Sequence, residues 1–377
     1  MSLWFSASAV VPALVEDWSI TGGSGSWLTG AVQLGFVAGA LLSASFNLAD
    51  RVSPRVLIGT CALGGAATNG AVALLAEGLS TAVPLRFLTG VFLAGIYPTG
   101  MKLAASWFRR GRGLAIGVVV GALTLGSGTP HLINGVGDLP WQGVLVASSA
   151  LALAGGAFAL AIRPGPHARP SPPLDVGYAV RSFRERPLRL ANLGYFGHMW
   201  EIYAVWTWLP VYLAATLDSA RGAALLAFVA IGLAGASGCL VAGLLADRVG
   251  RTSTTIAAMA VSGVCCLAAP AVFGAHPAVV VALALIWSFA VVADSAQFSA
   301  AVTELADPRY VGTALTVQTA IGFLLTVGSI RLVGAIGESS GWRWAFPVLA
   351  VGPALGALAM YRLRHDPAAA RLAQGVG

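Results

Sequence analysis

Two stretches, "GLLADRVGR" at residues 243–251 and "FNLADRVSPR" at 46–55, spell nearly the same charged phrase. They stand out because 57% of the 377 residues are hydrophobic and only 10% are charged. A mean hydropathy of +0.80 leaves too little polar surface to cover a water-soluble globule of this length, so the solvent for most of the chain is lipid. A backbone in lipid must satisfy its own hydrogen bonds, as helices or as a closed barrel. The alternating pattern of a barrel is absent, and apolar runs of about 20 residues recur between short charged or Gly/Pro turns. The expected spans are 27–48, 55–76, 82–106, 113–136, 142–162, 189–213, 221–246, 252–274, 278–303, 311–335 and 344–362. Residues 1–15, "MSLWFSASAVVPALV", form a shorter twelfth segment with neither the charged start nor the cleavage site of a signal peptide.

Asp50 and Asp247 lie 197 positions apart, each after the second helix of a block of six. The same offset sets "LGFVAG" at 34–39 against "IGLAGA" at 231–236. The expected organisation is therefore an N-terminal six-helix half at 1–162, a connector at 163–188, a C-terminal half at 189–363 and a tail at 364–377. The offset carries Met1 onto His198, well inside the seventh helix, so the first helix is expected to lack its beginning. The connector is rich in proline and arginine, and "DVGYAVRSFRER" within it sets Val176, Val180 and Phe183 at helical spacing. It reads equally as a helix lying on the lipid surface or as a solvated linker.

Basic residues orient the chain, because short loops rich in arginine stay in the cytoplasm. Arg51, Arg55, Arg109, Arg110, Arg112, Arg163, Arg184, Arg186, Arg189, Arg248, Arg251 and Arg309 all fall in one set of loops, and the opposite set carries Arg221 and Arg343. Both charged phrases are thus expected on the cytoplasmic side of a cell membrane. The net charge of +7 is accounted for without a nucleic-acid partner. Cys61, Cys239, Cys265 and Cys266 lie inside apolar runs without metal-ligand spacing. The only lysine, Lys102 in "PTGMKLAAS", belongs to no phosphate-binding loop, so neither a cofactor nor a metal is expected.

Twelve helices in two equivalent sixes, with this phrase after the second helix of each, resemble the major facilitator superfamily of secondary transporters. That family's signature, G-x-L-A-D-R-x-G-R, is met by Gly243, Leu245, Ala246, Asp247, Arg248, Gly250 and Arg251. The first copy is degenerate, with Phe46, Ser53 and Pro54 out of pattern. The resemblance implies an all-α, pseudo-two-fold membrane fold in which Asp50, Arg51, Asp247 and Arg248 help to latch one conformation. Arg86 and Gly90 in "LRFLTGVFLAG" match the R-x-x-x-G of the family's fourth helix, whereas the antiporter pattern of the fifth is not clean in "GALTLGSGTPHLI".

A charge in hydrocarbon is costly, which makes buried ionisable residues candidates for function. Arg86 and Lys102 fall in the fourth helix, His198 and Glu201 in the seventh and Asp294 in the tenth, while the third, sixth, ninth and twelfth have none. The expectation is that helices one, four, seven and ten line a cavity and the other four face lipid. His198 and Glu201, three apart, share a helix face, with Trp200 and Tyr203 as aromatic surfaces beside them. This is not the HExxH of a zinc hydrolase, so an enzyme is not expected. Gln33, His131, Asn134, Gln297 and Gln318 could reach the cavity from other helices.

The expected function is alternating-access transport of a small solute, coupled to a proton carried by Glu201 with Asp294 in reserve. Arg86, Lys102 and His198 favour a small organic anion, and export of amphipathic compounds is the alternative. A monomer in the bilayer is expected. Single cysteines placed at Arg184 and at Gly22 are predicted to react from opposite sides of intact cells. Modification of both by one impermeant maleimide would overturn the orientation.

Overall fold

The computed structural model describes residues 1–46, 48–107, 112–137, 139–166, 175, 177–178, 180, 183–217, 219–307 and 309–375, without the side chains of 22, 49, 50, 105, 112–116 and 374. Arg109, Arg110, Val176, Arg181 and the side chains of Asp50 and Arg112 therefore lie outside the described residues. Every regular element among the described residues is helical.

Twelve segments order the chain. The first, α1, is a broken run made of Ser2–Phe5, a 3-10 turn Ser8–Val10, and Val11–Asp17. Then come α2 (Gly23–Ser45), α3 (Pro54–Leu75), α4 (Leu79–Ala104), α5 (Arg112–Val136), α6 (Trp141–Ala161) and α7 (Arg186–Leu217). The last five are α8 (Ala220–Val249), α9 (Arg251–Val272), α10 (Pro277–Leu305), α11 (Val311–Ser340) and α12 (Trp342–Arg364). Nine of these, all but α1, α5 and α7, are long and apolar enough to cross a membrane among the residues searched. The long α7 falls short only in hydropathy, because it carries the His, Glu, Trp and Tyr side chains on which the site is built.

Packing repeats along the chain. The pairs α2–α4, α3–α4 and α3–α6 recur six helices later as α8–α10, α9–α10 and α9–α12. Between the two sets, α2 lies against α11 and α5 against α8. Small residues set these distances. A Cβ added at Gly35 would collide with the Phe87 carbonyl oxygen, and one at Gly90 with that of Val32, so α2 and α4 meet backbone to backbone. Where α5 crosses α8, a Cβ at Gly128 would come within 2.9 Å of the Gly232 amide nitrogen, inside a π-helical stretch, Phe228–Ala234. The most exposed apolar side chains include Leu74 and Phe158, each 76% accessible, together with Val264, Leu267 and Leu355. They belong to α3, α6, α9 and α12, the helices expected to face lipid.

Two segments take forms that the pattern did not specify. The first is broken: Pro12 has no amide proton to give, and the Leu3 and Trp4 carbonyls are diverted to Arg86 at 2.7 and 2.6 Å. The connector is held to the protein at Tyr178, while Val180 of the apolar trio is exposed. Tyr178 is buried, stacks on Tyr310 with centroids 4.5 Å apart, and accepts the Asp307 amide at 2.9 Å. It pins the connector to the α10–α11 loop.

Because α2 and α4 touch through their backbones, Gly90→Val is predicted to abolish monodisperse protein in detergent, whereas Gly155→Leu, which enters open space, should purify like the wild type. Equal recovery on size-exclusion chromatography would contradict the packing argument.

Candidate functional site

Arg86 is completely buried, and its guanidinium is shared among α1, α2 and α3. Nε donates to Leu28 O at 3.1 Å, Nη2 to Trp4 O at 2.6 Å, and Nη1 to Leu3 O and Asn69 Oδ1, both at 2.7 Å. Asn69 in turn donates to Leu145 O and Ser149 Oγ of α6, each at 3.0 Å. The partners of Arg86 are carbonyl, amide and hydroxyl oxygens, so no carboxylate neutralises its charge at contact. Arg86 is engaged with the protein through these contacts. It holds the turn of α1 that carries Trp4.

Trp4 stands at the centre of the bundle. Its ring lies 5.0 Å from Phe36 of α2, 5.6 Å from Tyr203 of α7 and 5.1 Å from Phe323 of α11. Phe36 and Phe323 meet at 4.6 Å, and Phe5 joins Tyr203 at 5.8 Å and Trp206 at 5.5 Å. Six aromatic rings from four helices thus close the middle of the protein. Interleaved with them, or on the helices beside them, are buried polar atoms with no hydrogen-bond partner among the described residues: Trp4 Nε1, Trp206 Nε1, His131 Nε2, and both amide atoms of Gln33 and of Gln318. Gln33 is one turn from Phe36 on α2. His131 is one turn from Asn134, whose amide donates to Ala9 O of α1 at 2.9 Å. Leaving such groups unpaired costs about 1–3 kcal/mol each; others, such as Thr252 Oγ1 and Ser288 Oγ, lie in the second half, but the Trp4 and Trp206 indoles belong to the cluster itself and Gln33 lies one turn from Phe36, so part of this unmet polarity is at the aromatic centre.

The acidic groups expected in the cavity lie elsewhere. Glu201 points into the bundle of α7, α9 and α10, where Oε1 accepts from Trp287 Nε1 at 2.8 Å and Cys266 Sγ at 3.2 Å, and Oε2 from Ser262 Oγ at 2.9 Å. Trp200 also turns away from the centre, packing on Gly352 and donating to Val348 O at 3.5 Å. Tyr203 alone of the expected aromatic pair reaches the central cluster. His198 Nδ1 stands 2.8 Å from Asp294 Oδ1, both side chains buried, and its Nε2 is 2.9 Å from Ser295 Oγ. Lys102 is half-buried near the end of α4.

On the side carrying the charged loops, Arg251 holds Glu304 through two hydrogen bonds of 2.8 and 2.6 Å and Gln297 at 2.8 Å. Glu304 Oε2 also accepts the Ala373 amide at 3.0 Å, so the tail closes on the same cluster. Gly250, at φ +92°, makes the turn that lets α9 start directly on Arg251. Arg51, Asp247 and Arg248 are exposed and Gly243 is buried. On the opposite side, Glu338 Oε1 accepts the Gly23 amide at 2.6 Å and the Arg331 guanidinium lies 4.5 Å over the Trp27 ring, tying α2 to α11. Arg331 and Glu304 are not among the expected site residues. Arg331 was legible as the single charge in "LLTVGSIRLVGAIG", whereas the role of Glu304 depends on the folding of α10 against α9.

A family model described as Major Facilitator Superfamily matches residues 1–330 and, a second time, 191–376. The chain belongs to that superfamily. It is a multi-pass, all-α membrane protein. A gallate transporter of Pseudomonas putida is 26% identical over 296 residues, covering 68% of this chain and 64% of that protein, so the match spans a little under two thirds of the relative's length. Among solved structures, the proton:xylose symporter XylE bound to 6-bromo-6-deoxy-D-glucose superposes with a TM-score of 0.71 at 14% identity, covering 96% of this chain and 93% of that one. At that identity the likeness is one of fold.

Glu201→Met removes both acceptor oxygens and leaves the buried Trp287 N–H without a partner. The expected cost is about 1–3 kcal/mol, read as a lower thermal unfolding midpoint in detergent. A midpoint equal to the wild type would mean that Glu201 is not held as described.

Proposed function

We propose that the protein carries a small aromatic carboxylate across the membrane by alternating access, coupled to a proton held among the ionisable groups that α7 and α10 share. The observation that carries this reading is the central aromatic cluster with its unpartnered donors, lying against the turn of α1 that Arg86 holds. Aromatic faces favour a flat ring. Indole and amide N–H groups can donate to carboxylate and hydroxyl oxygens, and the guanidinium behind Trp4, unneutralised at contact, biases the potential of the site toward an anion. The likeness to a gallate transporter supports the same class, since gallate is a hydroxylated benzoate.

The moving units in this proposal are residues 1–162 and 189–363, joined by 163–188, with the α2–α11 and α5–α8 seams as the surfaces that open and close. The arginine-rich loops face the cytoplasm of a cell in whose plasma membrane the protein sits as a monomer. Export of amphipathic compounds is the competing reading, favoured by the same aromatic rings. It differs in needing no anion selectivity.

In proteoliposomes with an inward proton gradient, labelled gallate or benzoate is expected to accumulate, and an uncharged amide analogue is not. Gln33→Leu and Gln318→Leu should each raise KM about 10- to 100-fold with the protein still folded, the effect of losing one hydrogen bond to a charged group. Equal transport of acid and amide would refute anion selectivity and favour the export reading.

A further inference from the structure

We infer that the His198–Asp294 pair is the proton-binding site of transport, and that His198, by anchoring the turn of α10 to α7, positions the cytoplasmic part of that helix. This rests on the proton-coupled reading above. The tenth helix is not continuous: it runs as Pro277–Ala293, turns at Asp294, and resumes as Ser295–Leu305. His198 reaches across from α7 to the turn residue and to the first residue after it, with Nδ1 at 2.8 Å from Asp294 and Nε2 at 2.9 Å from Ser295. Its ring is seated on Phe298, centroids 5.6 Å apart, and faces Tyr195 at 6.2 Å. One imidazole therefore anchors the turn and the start of the second segment to α7.

The fourth helix is broken at the corresponding place, after Leu93 and before Tyr97, and Tyr97 is separated from Asp294 by the same 197 positions. That break is set by Pro98 at the start of the second segment and carries neither a carboxylate nor an imidazole. Of the two matched breaks, only the one in α10 is strapped by an acid–base pair.

The segment beyond the strap bears Gln297 and Glu304, which together hold Arg251, and Glu304 also holds the tail through Ala373. Any displacement of Ser295–Leu305 must therefore disturb the charged cluster at the α8–α9 turn. A proton bound to the pair gives an imidazolium facing a carboxylate, neutral overall. When that proton leaves, a neutral ring faces a buried carboxylate, and the uncompensated charge favours admission of water at the turn.

The other groups facing the pair do not supply a cation. Glu201, one turn along α7, is acidic and is occupied by Ser262, Cys266 and Trp287. Cys239 of α8 donates to Val292 O at 3.8 Å and lies 4.0 Å from Thr124 of α5, and Tyr195 of α7 is neutral. Loss of the proton thus leaves the site anionic. The protonated state keeps α10 strapped and the Arg251 cluster closed, and the deprotonated state releases them.

The test places nitroxides at Thr303→Cys, near the cytoplasmic end of α10, and Arg55→Cys, at the start of α3, both exposed. Cys61, the half-buried native thiol, is replaced by Ala, and the other three are buried. Spin-echo distances are measured in nanodiscs from acid to mildly alkaline pH, without substrate. The expected result is a longer distance at high pH with one titration midpoint, and no pH response in His198→Gln or Asp294→Asn. Ser295→Ala removes a hydroxyl that can accept from the imidazolium and donate to the neutral ring, so it should leave the midpoint nearly unmoved while lengthening the distance at low pH, and so keeps the inference testable if the larger changes fail to fold. A response that persists in His198→Gln, or that is lost in Glu201→Gln but kept in Asp294→Asn, would overturn the assignment and move the proton to Glu201. A titrating strap in a protein that transports no acid would instead count against the proposed function and leave the strap standing.

Discussion

A buried guanidinium organises the first half of this protein. Arg86 cannot be neutralised by a carboxylate at its position, so its protons must be met by carbonyls, and the carbonyls available are those of a first segment that has given up regular helix. The break in α1 and the burial of Arg86 are one event seen from two sides. With Leu3 and Trp4 held by their backbones, the Trp4 ring is carried into the centre of the bundle, where it meets Phe36, Tyr203 and Phe323. The glycine contacts between α2 and α4 belong to the same arrangement, since only helices meeting through Gly35 and Gly90 bring Leu28 O within reach of Nε.

The second half solves the problem of buried charge differently. There the ionisable groups are acidic and are paired locally: Glu201 with three donors, Asp294 with His198, Glu304 with Arg251. The halves therefore share helix order and packing but not electrostatics, with an arginine met by neutral oxygens on one side and carboxylates met by donors on the other. An anion lying between them would sense the arginine through the ring of Trp4, while the groups able to exchange a proton lie along α7 and α10. Such a separation lets a solute site and a proton site be distinct and still touch the same helices, because Tyr203 and His198, five residues apart, project from different faces of α7.

Much of the architecture was legible before folding. Eleven apolar runs of spanning length, the repeated phrase with its 197-residue offset, and the absence of interior charge in the third, sixth, ninth and twelfth helices led to an all-α membrane transporter. Leu74 and Phe158 on the lipid-facing surface agree with that reading. The site was less legible. Periodicity places His198 and Glu201 on one side of α7, yet whether that side meets the central cluster or the interior of its own half depends on the rotation of the helix against α9, α10 and α12. Gly352, which leaves room for the Trp200 ring, and Cys266 and Ser262, which receive Glu201, lie 61 to 152 residues away in the chain.

What the sequence determined by itself is what a one-dimensional pattern can encode: solvent, helix count, duplication, and the family through a phrase of fixed spacing. Tertiary structure alone decided which buried groups meet. The partners of Arg86 are backbone carbonyls, which every residue possesses and no motif advertises. The aromatic cluster draws one or two rings from each of four helices remote in sequence. The strap of His198 exists only because α10 breaks at Asp294, a residue with no proline beside it to announce the break. Contacts of this kind depend on the relative rotation and depth of helices, set by small-residue packing summed over the whole bundle, and no local stretch of residues contains that information.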